Sequence, residues 1–351
     1  MPSKKTKQNI IWFKNCSSKD FPQVGGKNAN LGEMFQLGLR VPPGFAVTTH
    51  AFNTFIDRGR VRNEIVRTLS QIPPENIPAL EEAGLQIRER IESTPLPETI
   101  AKQIRQSYKK LCNLCGVLDV PVAVRSSATS EDTKMASFAG LHDSYLWVRG
   151  EDEVIRHVLK CWASLFTDRV IAYRNHIGWP HDKVTISVGV QKMVNAKCAG
   201  VMFTIDPVMG DENKIVVEGN WGLGESVVKG EVSPDHFLVD KQSSEILEKN
   251  VSPKLVCYQL VGNQVVCMPP SPEKQNQLCL NDEELIEIVR LGKISEAHYQ
   301  LPQDLEWAID VDLSFPENVF LVQTRPVTSA GKPKQSNTDI IIDMMSSLFR
   351  R

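Results

Sequence analysis

VGGKNANLGEM, Val24 to Met34, is the stretch on which the fold turns. Two glycines before a lysine open like a phosphate-cradling loop. A Walker-type loop, however, places a serine or threonine hydroxyl directly after the lysine to hold magnesium, and here Asn28 follows Lys27. The plainer alternative is a glycine turn that starts a helix from Ala29 to Leu37, with Leu31, Met34 and Phe35 at core spacing and Gly38 as its stop. The stretch alone leaves both readings open, so the rest of the chain has to decide what Lys27 is for.

With 351 residues the chain is too long for one ordinary core, and two or three subdomains of about 100 to 200 residues are expected. A hydrophobic fraction of 41% with 23% charged residues places it among soluble globular proteins. The formal net charge of -2 offers no electrostatic footprint for nucleic acid or a membrane surface, so any bound anion must be caught locally. No apolar run of about 18 residues is present and the start, MPSKKTKQN, lacks the apolar segment of a signal peptide, which makes a cytoplasmic location the expectation. The eight cysteines are scattered; Cys112 and Cys115, three apart on a helical pattern, read as reduced core thiols rather than metal ligands.

Periodicity divides the chain. Residues 51–118 read as helical, broken by QIPPENIP and TPLPE, and residues 154–174 as a buried helix carrying Val158, Trp162, Leu165 and Phe166. VPVAVRSSA is a β-branched strand, followed by the loop SSATSEDTKMASFAG and a second strand, LHDSYLWV. From Val184 onward strands dominate, interrupted by one helix whose start is marked by a capping box of Asn281 and Glu284 with Leu280 and Leu285 as its staple. The expected organisation is a mixed α/β (α+β) protein with a lobe over 1–183, a helical insertion at 51–118, a lobe over 184–328, and a linker with an amphipathic helix over 329–351.

The last two strands carry chemistry. In DLEWAIDV, Leu305, Trp307 and Ile309 point one way, so Asp304, Glu306 and Asp310 share the other face; in VFLVQTR, Val319, Leu321, Gln323 and Arg325 share a face. Paired as a hairpin across SFPEN, these strands converge two carboxylates, an amide and a guanidinium, a set suited to magnesium and polyphosphate. A solvent-facing hairpin with charged outer residues is the competing account.

Taken together, VGGKNANLGEM, GLRVPPGFAVTTHAF, VAVRSSATSEDTKMASFAG, GVMFTIDPV, EGNWGLGESVVKGEVSPD and FLVQTRPVT resemble the ATP-binding domain of the phosphoenolpyruvate synthase and pyruvate phosphate dikinase family. The resemblance runs in the family's order over about residues 24–328. It implies an ATP-grasp fold, two lobes with the nucleotide cleft between them. It further implies that Lys27 and Arg125 bind ATP phosphates, that Ser137, Ala139 and Gly140 form a lid over them, and that Gln191, Met193 and Val194 lie along adenine. Glu218 falls to the ribose; Asp304, Glu306, Gln323 and Arg325 fall on the family's metal and phosphate positions, with Glu306 and Gln323 holding Mg2+ and Lys27, Arg125 and Arg325 acting in catalysis.

Departures from the family shape the functional expectation. None of the seven histidines, His50, His142, His157, His176, His181, His236 and His298, sits in the threonine-serine-histidine context of the family's phosphohistidine carrier. The resemblance therefore implies a subunit that passes the β-phosphoryl group of ATP to a histidine on a separate subunit, which also carries the acceptor-binding domain, with release of AMP and phosphate. Phenol is the expected final acceptor, by similarity of layout to phenylphosphate synthase. The alternatives are pyruvate, a non-catalytic nucleotide-binding regulator, or a carboxylate ligase releasing ADP. The C-terminal segment IIIDMMSSLFRR, with Ile341, Met344, Met345 and Leu348 on one helical face, is expected either to pack on its own domain or to dock a partner.

Overall fold

A computed structural model describes residues 8–129 and 144–327, together with the backbone of 132–133 and 136–137. These residues form two compact units, the first of residues 8–32 and 43–193, the second of residues 33–42 and 194–327.

In chain order the first unit contains β1 (Ile10–Trp12), α1 (Phe21–Gln36, whose last residues belong to the second unit), β2 (Gly44–Val47), α2 (Thr49–Arg58), α3 (Val61–Leu69), α4 (Ile77–Ser93) and α5 (Glu98–Cys115). There follow β3 (Val122–Ala128), the two-residue strands β4 (Asp132–Thr133) and β5 (Ala136–Ser137), β6 (Ser144–Val148), α6 (Glu151–Ala163), α7 (Asp168–His176) and β7 (Ile186–Lys192). Five of the strands make an antiparallel sheet in the order β1-β2-β7-β3-β6. Alternation gives this sheet two different faces. Val122 and Val124 of β3 join Ile186, Val188 and Val190 of β7 in a core completed by Phe52, Phe55 and Trp162. The Trp162 ring lies 4.9 Å from Phe55 and 5.7 Å from Phe52, centroid to centroid. The residues of opposite parity, among them Ser127 on β3 and Ser187 on β7, face the other way, and these two bond to Asn28 of α1.

The second unit contains β8 (Ala196–Phe203), β9 (Lys214–Trp221), α8 (Glu225–Val228), β10 (Asp235–Asp240), β11 (Ile246–Asn250), β12 (Cys257–Val261), β13 (Gln264–Met268), α9 (Pro272–Gln275), α10 (Asp282–Tyr299), β14 (Gln303–Asp310) and β15 (Val319–Pro326). Six strands form an antiparallel sheet in the order β11-β10-β9-β8-β14-β15. Leu305, Trp307 and Ile309 are fully buried on one face, as their alternation predicts. Helix α10 begins with the complete capping box of Asn281 and Glu284 and packs on this face. The fit is tight: a Cβ on Gly292 would stand 2.1 Å from Met202 Cε, and one on Gly219 would stand 2.8 Å from the Trp307 ring. Beneath the sheet, Asp235 and Lys254 form a fully buried ion pair at 2.5 Å, and Asp235 also accepts from the amides of Ser252 and Cys279.

Three expectations are corrected. The boundary expected between residues 183 and 184 falls between Met193 and Val194, because β7 is hydrogen-bonded on both sides, to β2 and β3, and so belongs to the first sheet. The single helix expected over 154–174 is two, α6 and α7, separated by a 3-10 turn at Ser164–Phe166 in which Ser164 Oγ bonds back to the Cys161 carbonyl. In the last hairpin the register skips Val322, so Trp307 lies opposite Leu321 but Glu306 lies opposite Gln323. The bulge turns Val319 and Leu321 into the core, where both are fully buried, and leaves Gln323 and Arg325 on the opposite face. Asp310, at the end of β14, is buried and accepts from the Asp312 amide in the turn.

Candidate functional site

Around Lys27, the first unit explains the opening sequence. Gly25 interrupts α1 with φ +71° and ψ 172°, a conformation open essentially to glycine, and a Cβ there would stand 2.2 Å from the Ser127 carbonyl oxygen. The chain is thereby brought against β3. Asn28 is buried where a Walker loop would hold its hydroxyl: its side-chain amide donates to Val24 O at 2.9 Å and Ser187 Oγ at 3.1 Å. Asn28 is therefore a structural clasp between helix and sheet. Gly189 makes room for it, since a Cβ there would be 2.4 Å from Asn28 Oδ1. Lys27, next to the clasp, donates from Nζ to the carbonyl of Ser126 at 3.4 Å, and Ser126 directly follows Arg125 on β3.

Register places Arg125 opposite Gly189 and Ala123 opposite Gln191, so Arg125 and Gln191 share the sheet face on which Asn28 sits. Gln191 is almost fully buried and, among the described residues, its Nε2 has no hydrogen-bond partner. At the end of β7 the Lys192 amide donates to Pro43 O, and just beyond it the Met193 amide donates to Pro121 O, both at 2.9 Å. Any contact of Met193 with a base edge therefore falls to its carbonyl.

In the second unit one cross-strand row carries most of the expected residues. His236 on β10 lies opposite Glu218 on β9, Glu218 opposite Val201 on β8, Val201 opposite Glu306 on β14, and Glu306 opposite Gln323 on β15. Directly opposed residues share a face, so Glu218, Glu306 and Gln323 stand in line on the face away from α10. One row further, Asp304 faces Arg325 and holds it by Nε at 3.0 Å and Nη2 at 2.9 Å. On the other side of the row, Val194, Ala199 and Ala308 form a small apolar cluster with Ala196, Phe320 and Val322. The face thus grades from apolar to acidic and amide groups to an aspartate-held guanidinium, the sequence of surfaces that base, metal and phosphate require.

Ser137 is described only as backbone of β5; Ala139, Gly140, His142 and the segment beyond 327 lie outside the described residues. Sequence reasoning missed two residues that matter locally. In sequence Asn28 stands out only for the hydroxyl it replaces, and His236 is one of seven histidines outside the carrier context. The signal for His236 is positional, because its pairing with Glu218 depends on a register that sequence does not print. Its Nδ1 is 3.6 Å from Glu218 Oε1, an ion-pair distance, and Glu218 is the main cause of an imidazole pKa raised above the ordinary value, against the opposing effect of burial.

Among the described residues no group of three or more histidine, cysteine, aspartate and glutamate side chains is arranged to cage a metal. Glu306 and Gln323, opposed across one ladder, offer two oxygen donors. That number suits Mg2+, which keeps much of its octahedron for water and phosphate oxygens, and the donor set fits the ion.

Antiparallel sheets flanked by helices, a glycine-bent helix whose lysine bonds the β3 backbone, and a sheet face with paired oxygen donors are the features of an ATP-grasp-type fold. The sequence matches the family described as the pyruvate phosphate dikinase AMP/ATP-binding domain over residues 21–345. The chain belongs to that family. Its relatives include the probable phosphoenolpyruvate synthase of Staphylothermus marinus, 42% identical over 94% of this chain, and the phosphoenolpyruvate synthase of Pyrococcus furiosus, 41% identical over 91%. The probable phosphoenolpyruvate synthase of Archaeoglobus fulgidus is 43% identical over 93%. The chain spans 43%, 44% and 42% of the lengths of these three relatives, less than half of each.

Proposed function

We propose that this domain binds Mg-ATP and drives transfer of its β-phosphoryl group to a carrier histidine, with AMP leaving from the β-phosphorus and water taking the γ-phosphoryl group away as phosphate, and that the final acceptor is pyruvate. The phenol acceptor expected from the sequence gives way to pyruvate because the relatives named above are phosphoenolpyruvate synthases. The observation that carries the reading is the row of Glu218, Glu306 and Gln323 beside the Asp304–Arg325 pair, within a chain of this family.

On this reading Lys27 and Arg125 contact the ATP phosphates and, with Arg325, spread the negative charge that develops on them. Asp304 fixes the Arg325 guanidinium, which costs less reorganisation at the moment of transfer than a mobile side chain would. Glu306 and Gln323 hold Mg2+, which supplies charge neutralisation at the phosphates. Ser137, Ala139 and Gly140 cover the phosphates, Gln191, Met193 and Val194 bind adenine, and Glu218 accepts from a ribose hydroxyl. The carrier histidine belongs to a different domain from this one, and the relatives' additional length supports a division of labour among domains.

The nucleotide product tests the reading. With a carrier-bearing polypeptide present, β-labelled ATP should yield AMP and acid-labile label on the carrier. ADP as the product would identify a γ-phosphoryl transfer and reject the proposal, and acid-labile label on a histidine of this chain would reject the separate carrier.

A further inference from the structure

Among the described residues, Glu218 has a titratable neighbour of opposite sign, His236, on its sheet face. His236 stands directly opposite it on the adjoining strand, half-buried, with Nδ1 3.6 Å from Oε1. The other charged groups acting on the imidazole are Glu248, on β11, and Asp206, in the loop after β8; both are acidic. Asn250 of β11 is its partner on the outer side. These three carboxylates favour the protonated form of His236, and burial opposes it. The row from His236 to Gln323 is continuous, so whatever fixes Glu218 acts on the same surface that carries Glu306.

We propose that His236 is a positioning residue for sugar recognition: in its protonated form it holds Oε1 of Glu218, leaving Oε2 to accept from a ribose hydroxyl, so that the pair selects ribonucleotide over deoxyribonucleotide. The inference rests on the assignment of Glu218 to the ribose in the proposed function. Its physical basis is that a carboxylate tied at one oxygen by a cation presents the other in a narrower range of orientations, and a site built to bond a hydroxyl discriminates against the analogue that lacks it. Deprotonation of His236 releases the carboxylate and removes the selection without removing Glu218.

The test is binding of Mg-ATP and of its 2′-deoxy and 3′-deoxy forms to the full chain and to His236→Gln, His236→Phe and Glu218→Gln, at pH 6 and pH 9. At pH 6 the wild type should prefer ATP over at least one deoxy form by about tenfold, the ordinary worth of a hydrogen bond to a charged group. That preference should shrink at pH 9. His236→Gln, which keeps a donor but does not titrate, should retain a preference that no longer depends on pH, and His236→Phe should lose it at both. The imidazole resonance of His236 should titrate at a lower pH in Glu218→Gln than in the wild type, a readout that packing alone would not move. If His236→Phe keeps the wild-type preference and pH profile while Glu218→Gln loses the preference, Glu218 works unaided and the proposal is overturned with the ribose assignment intact. If Glu218→Gln also keeps the preference, the ribose assignment itself is overturned, and the proposal with it.

Discussion

Arg174 and His181 show how single side chains set the pH response of the first unit. Arg174 is completely buried on α7, its Nε donating to His181 Nδ1 at 3.0 Å and its guanidinium stacked 5.1 Å from the Phe166 ring centroid. Nη1 and Nη2 have no hydrogen-bond partner, and burial lowers the arginine pKa to about 9. His181 must stay neutral to accept that bond, with its Nε2 proton facing Asn175 Oδ1 at 2.9 Å. Burial first, and then the Arg174 charge, lower its pKa to about 4 from an ordinary value of 6.5. Between these two values the unfolded chain binds a proton that the folded chain does not, so stability contributed here is present above pH 6.5 and is lost as pH falls toward 4. Denaturant midpoints at pH 7 and pH 5 should therefore fall less in His181→Gln than in the wild type. Parallel losses would assign the acid sensitivity elsewhere.

At the scale of the element, the β14–β15 hairpin decides the metal proposal. Glu306→Ala removes one of two opposed oxygen donors while leaving the core side of the strand, Leu305 and Trp307, in place. Calorimetry should show a much larger loss for Mg-ATP than for metal-free ATP; equal losses would mean that Glu306 is not a ligand. This hairpin also shows what the sequence could and could not reveal. The alternation of DLEWAID is strict, so the facing of Asp304 and Glu306 was legible, as was the capping box of α10, whose signal is contained within four residues. The bulge at Val322 was not, because an extra residue in one strand leaves no local mark and changes parity only through pairing with its neighbour. The same limit hid β7, which reads like the strands after it and belongs to the sheet before it. Lys27 was legible as a candidate site residue only through the family's longer pattern, since the buried role of Asn28 depends on Ser187, 159 residues away.

Across the whole molecule, two cores imply two units of local stability. Trp162 anchors the first against Phe52 and Phe55 and is fully buried, with its indole Nε1 unpartnered. Trp307 anchors the second, also fully buried, with its indole nitrogen donating to the Val201 carbonyl at 3.0 Å across the β8–β14 ladder. Removing either side chain should cost about 3 to 5 kcal/mol, since a core tryptophan leaves a cavity that its surroundings refill only in part. That cost should appear as easier opening of the strands each ring covers, because exchange of buried amides follows the local opening free energy of the cooperative unit that holds them. Trp162→Ala is therefore expected to speed deuterium uptake in β3, β7 and α6 while β8 and β14 remain protected, and Trp307→Ala to do the reverse. The polar partner adds a second distinction. Trp162→Phe discards a donor that makes no bond, whereas Trp307→Phe leaves the Val201 carbonyl without its indole partner, so the second should destabilise more than the first by about 1 kcal/mol. A uniform rise in exchange across both units for either alanine variant would show that the two cores open as one, and the assignment of separate local stabilities would fail.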